Sequence, residues 1–138
     1  MKRTLLVFLI LLSCSKSEKE PELDCSAVLC TDDIRSIYIT VSDASGAAIP
    51  LEDFTVTDLD INEDITPGYT VDELRTFAAF NIYPLISDLD DNGEPGNRRR
   101  LQFQGFREGV LIAEGTYVAG PDCCHVQLLE GNPDIVID

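Results

Sequence analysis

The chain has 138 residues, 25 of them acidic and 10 basic, giving a formal net charge of −15. An excess of this sign repels phosphates and anionic headgroups, which excludes nucleic acid as a partner and electrostatic adhesion as a route to a membrane. Trp is absent and the single Met is the first residue, so length and composition allow one modest core and one small domain.

Residues 1–13 have the layout of an export signal, with Lys2 and Arg3 ahead of an apolar run over residues 5–12. As a helix that run reaches only about 12 Å, far short of the roughly 30 Å hydrocarbon core of a bilayer, so it is no membrane span. Leu11-Leu12-Ser13-Cys14 resembles the lipobox of bacterial lipoproteins, with Leu12 standing where a small residue is more usual. The resemblance implies cleavage after Ser13 and acylation of Cys14. Losing Lys2 and Arg3 would leave 8 basic residues and move the charge to −17, so the acyl chains would supply the whole attachment to the membrane. Residues 14–24 are polar and charged, and they read as a lipidated Cys with a flexible tether ahead of a domain over residues 25–138. The charges soon after Cys14 resemble the surface-export signals of Bacteroidota-type lipoproteins, and Ser15 in place of Asp resembles outer-membrane sorting. The implied address is the outer membrane of a Gram-negative bacterium, on its periplasmic or surface-exposed face.

Further along, residues 34–41 alternate as a half-buried strand does, with Ile37, Ile39 and Val41 on one face and Tyr38 and Thr40 on the other. A turn cluster over residues 42–46 leads to a second strand around Phe54 and Val56, and the acidic stretch 58–68 reads as a loop. Residues 69–74 fit either a strand or a single helical turn. Residues 78–87, with Phe80, Ile82, Leu85 and Ile86, read as a buried strand in which Pro84 takes an edge or a bulge. After the breaker-rich segment 88–97, residues 101–104 and 110–113 form a hairpin through Arg107-Glu108-Gly109. Residues 117–118, 124–129 and 135–137 complete the strands. Their short, even spacing with no convincing helix implies an all-β fold, a single antiparallel sandwich of Ig-like or transthyretin-like kind.

Two segments carry a further resemblance. The first strand followed by Asp43-Ala44-Ser45-Gly46-Ala47-Ala48-Ile49-Pro50 is similar to the opening of carboxypeptidase-regulatory-like, transthyretin-type sandwich domains, although here the Pro follows the Ile. The run Asp122-Cys123-Cys124-His125-Val126 resembles a D-C-C-H-V motif of small uncharacterised Bacteroidota-type lipoproteins. These resemblances imply a fold and an address, and no activity.

With Cys14 assigned to lipid, Cys25, Cys30, Cys123 and Cys124 remain, an even number in an oxidising compartment, where disulfides are expected. Neighbouring residues on a strand face opposite ways, so Cys123 and Cys124 should each reach a different partner in the Cys25 and Cys30 segment, with the pairing open. A zinc site using these thiols and His125 is the competing reading, but the spacing is wrong for the common zinc knuckles.

Asp88-Leu89-Asp90-Asp91-Asn92-Gly93-Glu94 matches the opening of a calcium loop, in which alternating oxygens wrap a hard cation. Asp88, Asp90 and Asn92 are the candidate ligands, yet Arg99 stands where the bidentate Glu belongs, and turn geometry alone accounts for such a composition. His125 is the single histidine, so a His-dependent envelope hydrolase would have to use it, and no nucleophile signature accompanies it. Paired carboxylates are too abundant to mark a glycosidase site, and Arg98-Arg99-Arg100 reads as a solvated strand end or a patch for acidic glycan or carboxylate. The expectation is a non-enzymatic, lipid-anchored binding or structural module with an envelope protein or glycan as partner and no cofactor. A calcium-dependent ligand-binding domain is the alternative.

Overall fold

The computed structural model describes residues 23–90 and 95–138. Apolar side chains alternating along extended segments build two sheets whose inner faces meet. In chain order the elements are β1 (Ser36–Asp43), β2 (Asp53–Asp58), β3 (Glu63–Asp64), α1 (Val71–Phe80), β4 (Tyr83–Ser87), β5 (Arg99–Arg107), β6 (Val110–Pro121), β7 (Val126–Glu130) and β8 (Asp134–Ile137). One sheet has the order β4-β1-β8 and the other β3-β2-β5-β6-β7. The fold is the all-β sandwich that the strand spacing implies, with two departures: the ten-residue helix α1, and β8, which pairs with β1 in parallel, from Thr40 opposite Asp134 to Asp43 opposite Ile137.

The core forms where the alternation says it should. Ile39 and Val41 of β1, Phe54 and Val56 of β2, Leu101 and Phe103 of β5, and Ala113, Tyr117 and Ala119 of β6 are all buried. Phe54 is the hub. Its ring lies 5.6 Å from Phe103 on the neighbouring strand, 5.7 Å from Tyr83 in the opposite sheet and 5.6 Å from Tyr69, with Phe77 of α1 at 6.2 Å. Tyr83 and Phe77 meet it edge to face while Phe103 stacks on it, both arrangements that add to the burial of apolar area. Tyr83 does more than fill space, because its hydroxyl accepts the Leu51 N–H at 2.7 Å and so satisfies a buried donor on the β1–β2 connection.

The reading of residues 78–87 as strand fails in its first half. Thr70 caps the helix α1 with its hydroxyl accepting the Glu73 N–H, while the Glu73 carboxylate accepts the Thr70 N–H at 2.8 Å, a reciprocal capping box. Asn81, in the left-handed region at φ 52°, ends the helix and turns its side-chain oxygen to the Val41 N–H. Only then does β4 begin. A register shift opposite Ile37 and Tyr38 puts Leu85 and Ile86 both inside, and Pro84 sits on this outer strand at the bulge, as anticipated.

The β5–β6 hairpin closes through Glu108 and Gly109, at φ 53° and 73°, the pair of left-handed residues that a tight turn between twisted strands requires. Gly115 serves a different need. A side chain there would stand 2.3 Å from the Tyr117 hydroxyl, so glycine is what lets that ring lie flat inside the sheet.

The cysteines pair as Cys25–Cys123 and Cys30–Cys124, each with 5.3 Å between Cα atoms and with sequence separations of 98 and 94. Two cross-strapped bridges are as expected, with the pairing now assigned. Because each bridge closes nearly the same loop, their contributions are coupled. Removing one pair by Cys→Ser substitution, Cys25 with Cys123 or Cys30 with Cys124, opens only the small ring between bridges and is expected to lower stability by about 2 kcal/mol on the chain-entropy treatment. Removing all four is expected to lower it by about 6–7 kcal/mol, more than the sum of the separate losses, as read by urea denaturation.

Candidate functional site

Cys123 and Cys124 do not lie on a strand: residues 122–125 form the turn between β6 and β7. Asp122 builds that turn. Its Oδ1 accepts the Cys124 and His125 N–H groups at 2.6 and 2.8 Å, its own N–H donates to the His125 carbonyl at 3.0 Å, and its Oδ2 accepts from the Gln127 side chain. These donors, the His125 and Cys124 N–H groups first, hold the Asp122 carboxyl below the usual carboxylate range against the opposing effect of burial.

The turn presents His125 to Asp88, just beyond the end of β4. His125 Nδ1 donates to Asp88 Oδ2 at 2.8 Å, and the carboxylate also accepts the Arg35 N–H at 2.7 Å and the Val126 N–H at 2.6 Å. Burial would raise the Asp88 carboxyl, and the bonds from Val126, Arg35 and His125 together outweigh it, leaving the group below its ordinary value. A carboxylate that only accepts places an imidazole proton on Nδ1, and Nε2 lies 3.3 Å from the Thr31 hydroxyl. Hydroxyl, imidazole and carboxylate are thus connected in the order of a hydrolase relay. The surroundings are those of a clasp: the His125 side chain is 8 % exposed, and Thr31 follows directly on the disulfide-bonded Cys30. None of the three groups lines either main cleft.

Of the calcium candidates, Asp88 is engaged as just described. Asp90 turns back, its Oδ2 accepting the Ser87 N–H at 3.0 Å and the Ser87 hydroxyl at 2.6 Å. Asn92 and Cys14 lie outside the described residues. Among the described residues no three His, Cys, Asp or Glu side chains gather as metal ligands, and the zinc reading loses its thiols to the disulfides.

Next to Asp90 a cleft of about 570 Å³ is lined by Asp58, Asp60, Asn97, Arg98 and Arg99, with Ile61 and Leu89. The arginine run divides here. Arg99 turns inward, its Nε 2.7 Å from Asp58 Oδ2 in a pair with side chains 15 % and 4 % exposed, and its Nη1 donates to the Asp90 carbonyl at 3.2 Å. Arg100 clamps Asp60 from outside at 2.7 Å, with its N–H on the other carboxylate oxygen at 2.9 Å. The acidic stretch read as a plain loop supplies the counter-charges for the basic run some 40 residues later.

A second cleft, of about 400 Å³, lies between α1 and the β1–β2 connection and is lined by Pro50, Leu51, Glu52, Val71, Leu74, Arg75, Ala78 and Arg107. No sequence signal marked it, because its walls come from three separated segments. Among the described residues no helix is long and apolar enough to cross a membrane. Compared with known proteins, the chain matches no family model, no curated protein and no solved structure.

The pH dependence of the clasp follows from the lowered carboxyls. A group whose folded pKa lies below its unfolded value stabilises fully above the unfolded value and loses that contribution as pH falls through the folded one. For Asp88 and Asp122 the loss therefore begins as pH drops through the ordinary value of 3.8. Urea midpoints are expected to fall steeply below about pH 4 in the wild type, and Asp122→Asn is expected to start lower at neutral pH and fall less steeply.

Proposed function

We propose that the chain is a lipid-anchored extracytoplasmic module, acylated on Cys14 and held at the outer membrane of a Gram-negative bacterium, where its β-sandwich acts as a non-enzymatic binding or structural part of the envelope. The observation that supports this most is the pair of disulfides at the first described residues, Cys25–Cys123 and Cys30–Cys124. Bridges of this kind persist where the surroundings are oxidising, outside the cytoplasm. Their place matters as well. They fasten the start of the domain to the β6–β7 turn, and His125, Asp88 and Thr31 reinforce the same junction. A domain hung from its N-terminal side needs strength at that point, and the one histidine is used there. This is why the hydroxyl–imidazole–carboxylate arrangement reads as a fastening and not as a catalytic set.

The test is metabolic labelling with an alkyne analogue of palmitate during expression of the full chain in a Gram-negative host. Label on the wild type, recovery in the outer-membrane fraction, and loss of both in Cys14→Ala are the expected results. Equal labelling of Cys14→Ala, or an unlabelled wild type recovered wholly in the soluble fraction, would overturn the anchor.

A further inference from the structure

The cleft beside α1 combines two features that belong to ligand sites. Its floor and one wall are apolar, from Pro50, Leu51, Val71, Leu74 and Ala78, and its charged rim holds Arg75 and Arg107 against Glu52. The rim thus carries two cations, with Glu52 and the Asp72 that pairs with Arg75 as the carboxylates at hand. Glu52 is already committed, since its Oε2 accepts the Glu108 N–H at 2.8 Å and so supports the β5–β6 turn. Among the described residues Arg75 is held only by Asp72 at 3.2 Å, with side chains 76 % and 91 % exposed, a contact that solvent screens and a stronger acceptor displaces. Arg107 has no ion pair among the described residues. The helix itself is unusual for a sandwich: none of its residues is buried, and Val71 at its first turn is 64 % exposed on the wall of the groove. A pocket of a few hundred Å³, mostly apolar with a few convergent polar groups, has the anatomy of a small-molecule site.

We infer that this groove binds a free aliphatic carboxylate of medium chain length. Its hydrocarbon body lies against Leu51, Val71, Leu74 and Ala78, and its carboxylate is taken by Arg107 with Arg75 as the second cation. Charge complementarity selects the head, because a guanidinium presents paired N–H donors that match a carboxylate and a neutral head cannot use them. The apolar walls select the body. This deepens the reading of the domain as a binding module and does not depend on the lipid at Cys14.

A diazirine-bearing octanoate, photolysed on the purified full chain whether or not it is acylated, reads the site directly. Cross-links are expected on peptides containing residues 50–52 and 71–78, competed by octanoate and at least about tenfold less well by octanamide, which keeps the chain and lacks the charge. Arg107→Ala is expected to reduce labelling about tenfold, and Val71→Asp, an exposed position outside the core, to reduce it as far. Equal competition by octanamide, unchanged labelling in Arg107→Ala, or cross-links spread evenly over the surface would overturn the proposal. Labelling of the groove on a chain that bears no acyl group at Cys14 would leave it standing while removing the anchor.

Discussion

The packing of this domain turns on one aromatic ring. Phe54 touches a neighbour in its own sheet, Phe103, a partner across the sandwich, Tyr83, and the helix segment through Tyr69 and Phe77. The chain has no Trp, and this one ring meets both sheets and the helix segment at the centre of the core. Tyr83 ties the cluster to the backbone through Leu51, and Leu51 forms part of the groove beside α1. Core and groove are therefore one mechanical unit: the aromatic cluster fixes the floor on which the exposed face of the helix opens.

A second theme is the use of carboxylates. The acidic excess looks like a solubility feature, but much of it is spent on backbone geometry. Asp43 accepts the Ser45 and Ala47 N–H groups, Asp64 the Thr66 N–H, Asp58 the Asp60 N–H and Asp122 the Cys124 and His125 N–H groups. Turns that would otherwise leave donors unpaired are closed by ionised side chains, which accept more strongly than neutral ones. Asp88 extends the same habit to long range by joining Arg35 to the adjacent His125 and Val126, two places that are distant from it and from each other in sequence.

The strands β1, β2 and β5 were legible because each alternates, and Ile39, Val41, Phe54, Val56, Leu101 and Phe103 are buried as the alternation demands, whereas β6, read as two pieces over residues 110–113 and 117–118, is one strand, Val110–Pro121. The even cysteine count foretold two bridges between the two ends. Helix α1 was legible in principle from the Thr70 and Glu73 spacing, but the apolar Phe77, Ala78 and Phe80 ran on into β4 and disguised the boundary at Asn81. The parallel pairing of β8 with β1 had no local signature, since it depends only on where the last strand arrives. The calcium-like run has described neighbours only for its first part. Asp88 and Asp90 have the right spacing for a cation loop, yet their carboxylates are drawn to His125 and to Ser87, and nothing in the run itself announces either acceptor role. The groove lay beyond reach because Leu51, Leu74 and Arg107 meet only once the sandwich has closed.

The bond between Cys25 and Cys123 also fixes how a pulling force would pass through the molecule. Tension entering at Cys25 and leaving at Asp138 crosses the sulfurs directly into the β6–β7 turn, so the chain between the bridged residues, a separation of 98, stays out of the load path. The covalent load path then runs from Cys123 through β7 and β8, and β8 passes part of it sideways to β1 through their parallel pairing. The bridge thereby caps the length that pulling can release, because the residues between Cys25 and Cys123 cannot be drawn out while it holds.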